Sequence, residues 1–338
     1  MQKEIVNKTK LLNEKGEISQ PGFAKRMLYE YNKENIKAGP LALKEWDFYQ
    51  VIIGDYVLKL TIGNISYVAQ FGADFFNVKT KESYSFSRMK FFPLKKFKLP
   101  RDPESPSVLR AEGKGYEMLF EVNEKERHLA LKAEDAKIGK IDIDIFLNND
   151  IENEKMVIAT PFKQKKKFYL NCKENYYGAR GKIVFGEREV EVDHTATAVL
   201  DWGRGVWPFS QEWFWGNGAA AIDGNKFGFN IGWGFGDLQN ASENMFFWNG
   251  KAHKLGNLIA EVDVNDYYKP WKFKDEDGKF EFTLTPVYDQ VTDLKIAFIQ
   301  MYCHQLFGRY DGYVVLPDGK KIEIKNMLAF CEHAKNKW

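Results

Sequence analysis

From Trp46 almost to the C-terminus, apolar and polar residues alternate with a period of two. The clearest example is a set of three strand-like runs separated by two-residue turn signals: 47–53, Gly54-Asp55, 56–62, Gly63-Asn64 and 65–71. Such alternation places successive side chains on opposite faces of a strand, and two-residue turns join neighbouring strands into hairpins. We find no long amphipathic helical pattern. The sequence therefore predicts an all-β protein of the barrel or sandwich type.

The chain length and the spacing of the strand-like runs indicate two units. With 338 residues, the chain exceeds the size of a usual single core. A charged stretch at 148–155 interrupts the alternation, and similar numbers of strand candidates precede and follow it. We predict two consecutive antiparallel β-barrels or half-barrels with an N-terminal arm. The expected bounds are 1–40 for the arm, 41–160 for the first β domain and 161–338 for the second.

The net charge limits the class of partner. The chain carries 49 Lys and Arg against 47 Asp and Glu, a formal net charge of +2. Such a chain lacks the long-range attraction that nonspecific binding to nucleic acid needs. One local feature works against this conclusion, because Lys163, Lys165, Lys166 and Lys167 could together bind a phosphate backbone. We expect no nucleic-acid partner.

Several other classes of site have no sequence signal. No apolar run is long enough to cross a bilayer, and Met1–Thr9 lack the apolar segment of a signal peptide. The three cysteines have no regular spacing, which disfavours a disulfide framework or a zinc motif. Neither a Walker loop nor a dinucleotide fingerprint is present. We therefore expect a cytoplasmic protein without membrane insertion, metal or tightly held cofactor. The oligomeric state stays open.

The segment Asp201–Asn217 is the most unusual stretch of the chain. It holds Trp202, Trp207, Trp213 and Trp215, four of the nine tryptophans, with Asp201, Arg204 and Glu212 among them. Indole rings favour burial, and a charge buried among them must be paired or have a shifted pKa. One interpretation is a ligand pocket with aromatic walls. The other is a structural plug in which Arg204 pairs with Asp201 or Glu212.

Two further regions contribute candidate site residues. His304 alternates with Tyr302 and Gln300, so that these polar side chains share one face of a strand. Glycines surround Trp233, where they would permit β-bulges or the close approach of backbone to a ligand. We predict a pocket in or beside the C-terminal domain. Its catalytic candidates are Asp201, Glu212 and His304, and its ligand-binding candidates are Trp202, Arg204, Trp207, Trp213, Trp215 and Trp233.

Three stretches of the second half resemble a known family: Asp201–Pro208 with Trp213–Gly216, then Phe247–Leu255, then His304–Gly312. These motifs are similar to those of the bacterial family called domain of unknown function 2804, and the resemblance covers nearly the whole chain. More remotely, Asp-Trp-Gly followed by Trp-Phe-Trp is similar to the lipocalin-like barrel pair of carotenoid hydratases and tocopherol cyclases. That resemblance implies a calycin-type architecture with two lipocalin-like barrels and an apolar ligand.

Two classes of function fit these features. In the first, the protein binds a compact, partly apolar molecule such as a terpenoid, polyketide or lipid-derived compound, and the acidic groups only orient it. In the second, burial raises the pKa of Asp201 or Glu212, so that the carboxyl can protonate an alkene, enol ether or glycosidic oxygen. A carbohydrate-active enzyme is the alternative, because aromatic platforms with two carboxylates also suit sugars.

Overall fold

The computed structural model of the protein describes residues 2–93, 97–296 and 299–337. Nearly all regular structure in these ranges is β-strand, and the only helical element is a 3-10 turn at Lys33–Asn35. No helix among the described residues has the length and apolarity that crossing a bilayer would require. The prediction of an all-β chain is confirmed.

The first antiparallel sheet contains most strands up to Val206. The N-terminal strands are β1 (Thr9–Lys10), β2 (Gly22–Ala24) and β3 (Tyr29–Glu30). They are followed by β4 (Leu43–Ile53), β5 (Tyr56–Asn64), β6 (Val68–Asn77), β7 (Ser83–Phe91), β8 (Ser107–Gly113), β9 (Tyr116–Val122), β10 (Glu126–Asp135), β11 (Gly139–Asn148), β12 (Met156–Pro161), β13 (Phe168–Phe185), β14 (Arg188–Val192) and β15 (Thr197–Val206). The strand order is β7-β6-β5-β4-β15-β13-β11-β10-β9-β8, with β12, β14 and β2 attached through β13 and β12.

The second antiparallel sheet contains all later strands. These are β16 (Ser210–Ile222), β17 (Asn225–Trp233), β18 (Met245–Trp248), β19 (Lys251–Lys254), β20 (Leu258–Glu261), β21 (Trp271–Asp275), β22 (Phe280–Ile296), β23 (Ile299–Val315) and β24 (Lys321–Lys337). Their order is β19-β18-β17-β16-β24-β23-β22-β21-β20. Each sheet curls around its own apolar core and forms a half-barrel, as predicted.

Strand β13 gives the first sheet its curl. Its first half pairs with β12 and β15, and its second half pairs with β11 and β14. The register shifts between Asn175 and Tyr177, which marks a bulge that bends the strand. Gly181 has φ +137°, and a Cβ there would collide with the carbonyl oxygen of Asp144. Glycine is therefore required at position 181, where β13 pairs with β11 and β14.

The N-terminal arm is part of the first half-barrel. Strand β2 pairs with β12, and Leu11, Tyr29 and Tyr31 are buried in the same core as Leu60 and Ile143. The second half-barrel has a separate core around Phe229, Trp271, Phe282 and Tyr310, among others. The arm therefore closes the first core by burying its apolar side chains against it.

The two sheets divide inside the tryptophan-rich segment, between Val206 and Ser210. This division concerns strand pairing, and the domain bounds 41–160 and 161–338 stay a prediction. The charged stretch at 148–155 lies in the connection from β11 to β12, and the later strands β13 and β15 still belong to the first sheet. They belong there because β15 pairs along its whole length with β4, with Thr197 opposite Ile52 and Val206 opposite Leu43.

The outer faces of the two half-barrels pack against each other. Phe76 of the first sheet contacts the rings of Tyr288 and Phe307 in the second, each at a centroid distance of 5.0 Å. Trp215 and Phe330 belong to the same buried cluster. Side chains on β4, β5, β13 and β15 that point away from the first core therefore face the second sheet.

Candidate functional site

Strand β15 presents different chemistry on its two faces. Asp201, Gly203 and Gly205 alternate with Trp202 and Arg204, and all five residues are buried. Trp202 belongs to the core of the first half-barrel, whereas Asp201 lines a cavity on the opposite face. The motif Asp-Trp-Gly-Arg-Gly therefore places some side chains in the core of the first half-barrel and others beside the cavity.

The cavity lies between the two half-barrels and has a volume of about 270 Å³. Both sheets and the segment that joins them contribute to its wall. The lining residues are Trp46, Phe48, Thr61, Tyr169, Lys173, Asp201, Trp207, Trp213, Trp215, Phe235, Glu243, Met301, Gln305 and Glu332. The cavity therefore lies beside the second half-barrel and not inside it. Six of its lining residues are on strands of the first sheet.

Glycines allow the aromatic wall to form. A Cβ at Gly203 would collide with the Trp46 ring, and a Cβ at Gly205 would lie 2.7 Å from Nε1 of Trp207. The two indoles can therefore pack directly over the β15 backbone. Their rings meet edge to face at a centroid distance of 5.1 Å, a favourable geometry for aromatic pairs. The ring of Phe235 completes this wall at 4.6 Å from Trp207.

Asp201 is held by two N–H donors. The Asn171 side-chain amide donates to Oδ1 at 2.6 Å, and Trp46 Nε1 donates to Oδ2 at 3.1 Å. Burial raises the pKa of Asp201 above its ordinary value, although the Lys173 ammonium and both donors oppose this change. The Glu243 carboxylate adds to the increase. The carboxyl is thus fixed in orientation and biased towards its protonated form.

Glu332 is a second buried carboxyl in the cavity wall. Trp213 Nε1 donates to its Oε1 at 3.0 Å, and Gln305 Nε2 donates to its Oε2 at 3.1 Å. These contacts follow from the register, since Glu332 on β24 lies opposite Trp215 on β16 and Gln305 on β23. Burial raises the pKa of Glu332, and the nearby Asp201 carboxyl contributes to this increase.

Lys173 contributes an ammonium group to the cavity wall, the only one among the described residues that line it. Its Nζ lies 2.7 Å from Glu243 Oε2 and 3.9 Å from the centroid of the Trp215 ring. Asn230 fixes this arrangement, because it accepts from Trp215 Nε1 at 2.7 Å and donates to Glu243 Oε2 at 3.1 Å. Within the described ranges, neither Asp201 nor Glu332 forms an ion pair with a basic side chain.

Arg204 belongs to a separate network on the other face of β15. Its guanidinium donates to Asp47 Oδ1 at 2.8 Å and to the carbonyl oxygens of Trp46 and Pro100, and it lies 3.5 Å from Glu45. It also stacks on Trp202 at 3.9 Å. The interpretation in which Arg204 pairs with Asp201 or Glu212 is not what the structure shows. Alternation along β15 directs Arg204 away from Asp201, and Glu212 on β16 pairs with His333 and Lys335 instead. Arg204 and Trp202 are buried on one face of β15, and the cavity lies on the opposite face.

Glu212 and His304 lie on the inner face of the second sheet, where a chain of contacts connects them. Glu212 Oε1 is 2.8 Å from His333 Nε2, and His333 Nδ1 is 2.8 Å from the Tyr267 hydroxyl. The Tyr267 ring stacks on His304 at 3.9 Å, and His304 Nδ1 is 2.7 Å from Asp289 Oδ2. The hydrogen bond from His333 lowers the pKa of Glu212.

Trp233 lies on this inner face as well, stacked on Phe214 at 4.7 Å. Of the nine candidates from the sequence, the structure therefore brings Asp201, Trp207, Trp213 and Trp215 together in the cavity wall. The other five candidates lie outside the cavity wall. Trp202 and Arg204 are buried on the other face of β15, and Glu212, Trp233 and His304 lie on the inner face of the second sheet. No group of three or more His, Cys, Asp or Glu side chains among the described residues converges as metal ligands would.

Sequence reasoning missed Trp46, Lys173 and Glu332, which lie on three separate strands, and Glu243, which lies in the connection between β17 and β18. One signal was available for Glu332. The run 327–334 in β24 is buried throughout, and Glu332 is its only carboxylate. A single carboxyl in such a run must be hydrogen-bonded, paired or protonated, because burial of an unpaired charge is costly.

Solved structures share this architecture. Kievitone hydratase from Nectria haematococca matches 91% of this chain with 92% of its own length, at 12% identity and a TM-score of 0.52. CghA, in a structure with Sch210972, matches 97% of this chain with 97% of its own, at 8% identity and the same TM-score. The shared architecture confirms the predicted lipocalin-like fold of two antiparallel half-barrels.

No curated protein sequence matches the chain significantly. A family match extends over residues 2–338, and the family is described as a domain of unknown function, DUF2804. The resemblance read from the tryptophan and histidine motifs is thereby confirmed. The chain belongs to the DUF2804 family.

Proposed function

We propose that the protein binds a compact, largely apolar small molecule between its two half-barrels and that Asp201 transfers a proton to it. One observation carries this proposal. Asp201 is a buried carboxyl with a raised pKa, and it lies in an aromatic cavity of about 270 Å³. That volume is close to the lower limit of typical small-molecule sites, which suits a compact ligand.

The surroundings of Asp201 suit a general acid. A carboxyl transfers protons efficiently near neutral pH when its environment raises its pKa towards that range. Asn171 and Trp46 hold the carboxyl in one orientation, so that little reorganisation is needed when the proton moves. An alkene or an enol ether bound against the tryptophans would receive this proton. Glu332, a second carboxyl in the wall, is positioned to accept a proton from water or from the product.

The chemistry of the wall favours an apolar ligand over a sugar. Trp46, Tyr169, Trp207 and Phe235 contribute apolar surface, and the polar groups are engaged with one another. A sugar would need many free hydrogen-bonding groups for its hydroxyls. A hydratase among proteins of the same fold agrees with proton transfer, although a shared fold does not by itself assign a reaction.

Proton transfer can be tested in heavy water. A panel of small prenylated phenols and enol ethers would be incubated with the protein in D2O, and deuterium incorporation would be followed by mass spectrometry. We expect incorporation by the wild type and its loss in Asp201→Asn with ligand binding retained. Glu189→Gln, which removes an exposed carboxylate on β14, is the matched control and should behave as the wild type.

The same experiment separates the other assignments. Binding without deuterium incorporation by the wild type would make the protein a carrier. Loss of incorporation in Glu212→Gln, with Asp201→Asn active, would move the acid to the inner face of the second sheet.

A further inference from the structure

The cavity wall contains more negative than positive groups. Asp201, Glu243 and Glu332 contribute three carboxyls, and Lys173 contributes one ammonium. Lys173 is already engaged with Glu243 at 2.7 Å. Among the residues that the structure describes, Asp201 and Glu332 therefore have only neutral N–H donors as hydrogen-bond partners, apart from a thiol contact of Cys303 with Glu332 at 3.8 Å.

Buried carboxylates without a cation are unstable, so two positive charges are needed to neutralise this wall. One can be the proton that the proposed function assigns to Asp201. Burial raises the pKa of Glu332 as well, so either a second proton or a cation carried by the ligand can neutralise it. The charge of Lys59 acts on Glu332, but its Nζ donates to Gln305 Oε1 at 3.0 Å and pairs with Asp74 Oδ2 at 3.4 Å rather than with Glu332.

The aromatic rings around Glu332 suit a cation. Trp213 donates its N–H to Glu332, and its ring lies 5.8 Å from Trp207 and 5.4 Å from Phe235. Tryptophan faces attract ammonium groups, and aromatic cages are used to recognise quaternary ammonium ligands. The cavity already holds one such contact, since the Lys173 ammonium lies over the Trp215 ring at 3.9 Å.

We infer that the molecule bound in this cavity carries a positive charge, as a tertiary or quaternary amine, next to Glu332 and the tryptophan rings. This inference rests on the proposed function and names the class of its ligand. The apolar part of the molecule would contact Trp46 and Phe235, and a proton on Asp201 together with the ligand cation would bring the wall to neutrality.

A matched pair of probes tests the charge alone. (3-Hydroxyphenyl)trimethylammonium and 3-tert-butylphenol have nearly the same shape, but only the first is a cation. Binding of each would be measured by isothermal titration calorimetry at neutral pH. We expect the cation to bind roughly tenfold or more tightly than the neutral probe. Glu332→Gln should remove most of this difference while the neutral probe binds as before, and Glu189→Gln should leave the difference unchanged.

A second measurement uses the wild type alone, in case Glu332→Gln fails to fold. A cation competes with protons for the cavity carboxyls, so its binding should weaken as the pH falls, whereas binding of 3-tert-butylphenol should not. The titratable groups facing Glu332 are Cys303, Lys59, Lys173, Asp201 and Tyr169. Equal affinity for the two probes would overturn the cationic ligand and leave the proposed site intact. Binding of neither probe would overturn both proposals.

Discussion

The two faces of β15 differ in how their buried charged side chains are paired. On the inner face, Arg204 is matched by the Asp47 carboxylate and by carbonyl oxygens within hydrogen-bond distance. On the outer face, Asp201 lines a cavity, and its hydrogen-bond partners in the described part of the chain are two neutral N–H donors. A buried charge that is fully paired, such as Arg204, stabilises the fold. A buried carboxyl that has no ion-pair partner among the described residues and lines a cavity, such as Asp201, can instead bind a ligand or hold a transferable proton.

Removing the guanidinium on the inner face should have the largest effect. We expect Arg204→Met to lower the free energy of unfolding by about 3–5 kcal/mol, because it removes the ion-pair partner of the buried Asp47 carboxylate, whereas Glu45 keeps its ion pair with Lys33. The exposed Arg180 pairs with Glu126 at 2.7 Å, and Arg180→Met should cost no more than about 1 kcal/mol. Urea denaturation measures both. Equal losses in the two variants would show that the buried ion pair of Arg204 does not stabilise the fold.

The raised pKa of Asp201, on the outer face, should make the stability of the protein depend on pH. The folded-state pKa of Asp201 is raised, so between about pH 4, where the unfolded carboxyl ionises, and that higher pKa the folded protein retains a proton that the unfolded chain has lost. Wild-type stability should therefore fall as the pH rises through this window. Asp201→Asn lacks this contribution.

The stability of Asp201→Asn relative to wild type should thus improve with increasing pH, by about 1.4 kcal/mol for each unit by which the pKa is raised. Denaturation curves collected across the window measure the difference. A constant difference would mean that Asp201 ionises as it does in the unfolded chain, which would remove the basis of its acid role.

The smallest effect concerns two tryptophans on opposite faces of the second sheet. Trp213 lines the cavity and donates to Glu332, whereas Trp233 stacks on Phe214 inside the half-barrel. We expect Trp213→Phe to weaken binding of (3-hydroxyphenyl)trimethylammonium roughly threefold to tenfold, from about 0.5–1.5 kcal/mol of lost aromatic interaction. Trp233→Phe should bind the probe as the wild type does. The reverse result, again by calorimetry, would place the ligand inside the second half-barrel.

Much of this comparison follows from local sequence rules. Alternation predicted the strands and the two half-barrels, and the tryptophan-rich segment marked the region of the cavity. Alternation also separates Glu212 from Trp213 and Trp202 from Asp201, because neighbours along a strand point to opposite faces. Applied to the candidate residues, this rule would have restricted the set that can meet in one cavity.

The rest depends on contacts between distant parts of the chain. Asp201 meets Lys173 and Trp46 because β15 lies between β13 and β4, and Glu332 meets them only after the two sheets pack together. Strand order and the packing of sheets are set by the whole chain, so one segment cannot indicate them. The division of the sheets between Val206 and Ser210 depends on such contacts too, since β15 pairs with both β13 and β4.

The central claim is that ligands bind on the outer face of β15, between the half-barrels. A crystal structure of the protein with (3-hydroxyphenyl)trimethylammonium tests it most directly. We expect electron density for the probe in the cavity lined by Asp201, Trp213 and Glu332, with its ammonium group beside the Glu332 carboxylate. Density inside the second half-barrel, against Tyr267 and His304, with none between the half-barrels, would contradict the claim.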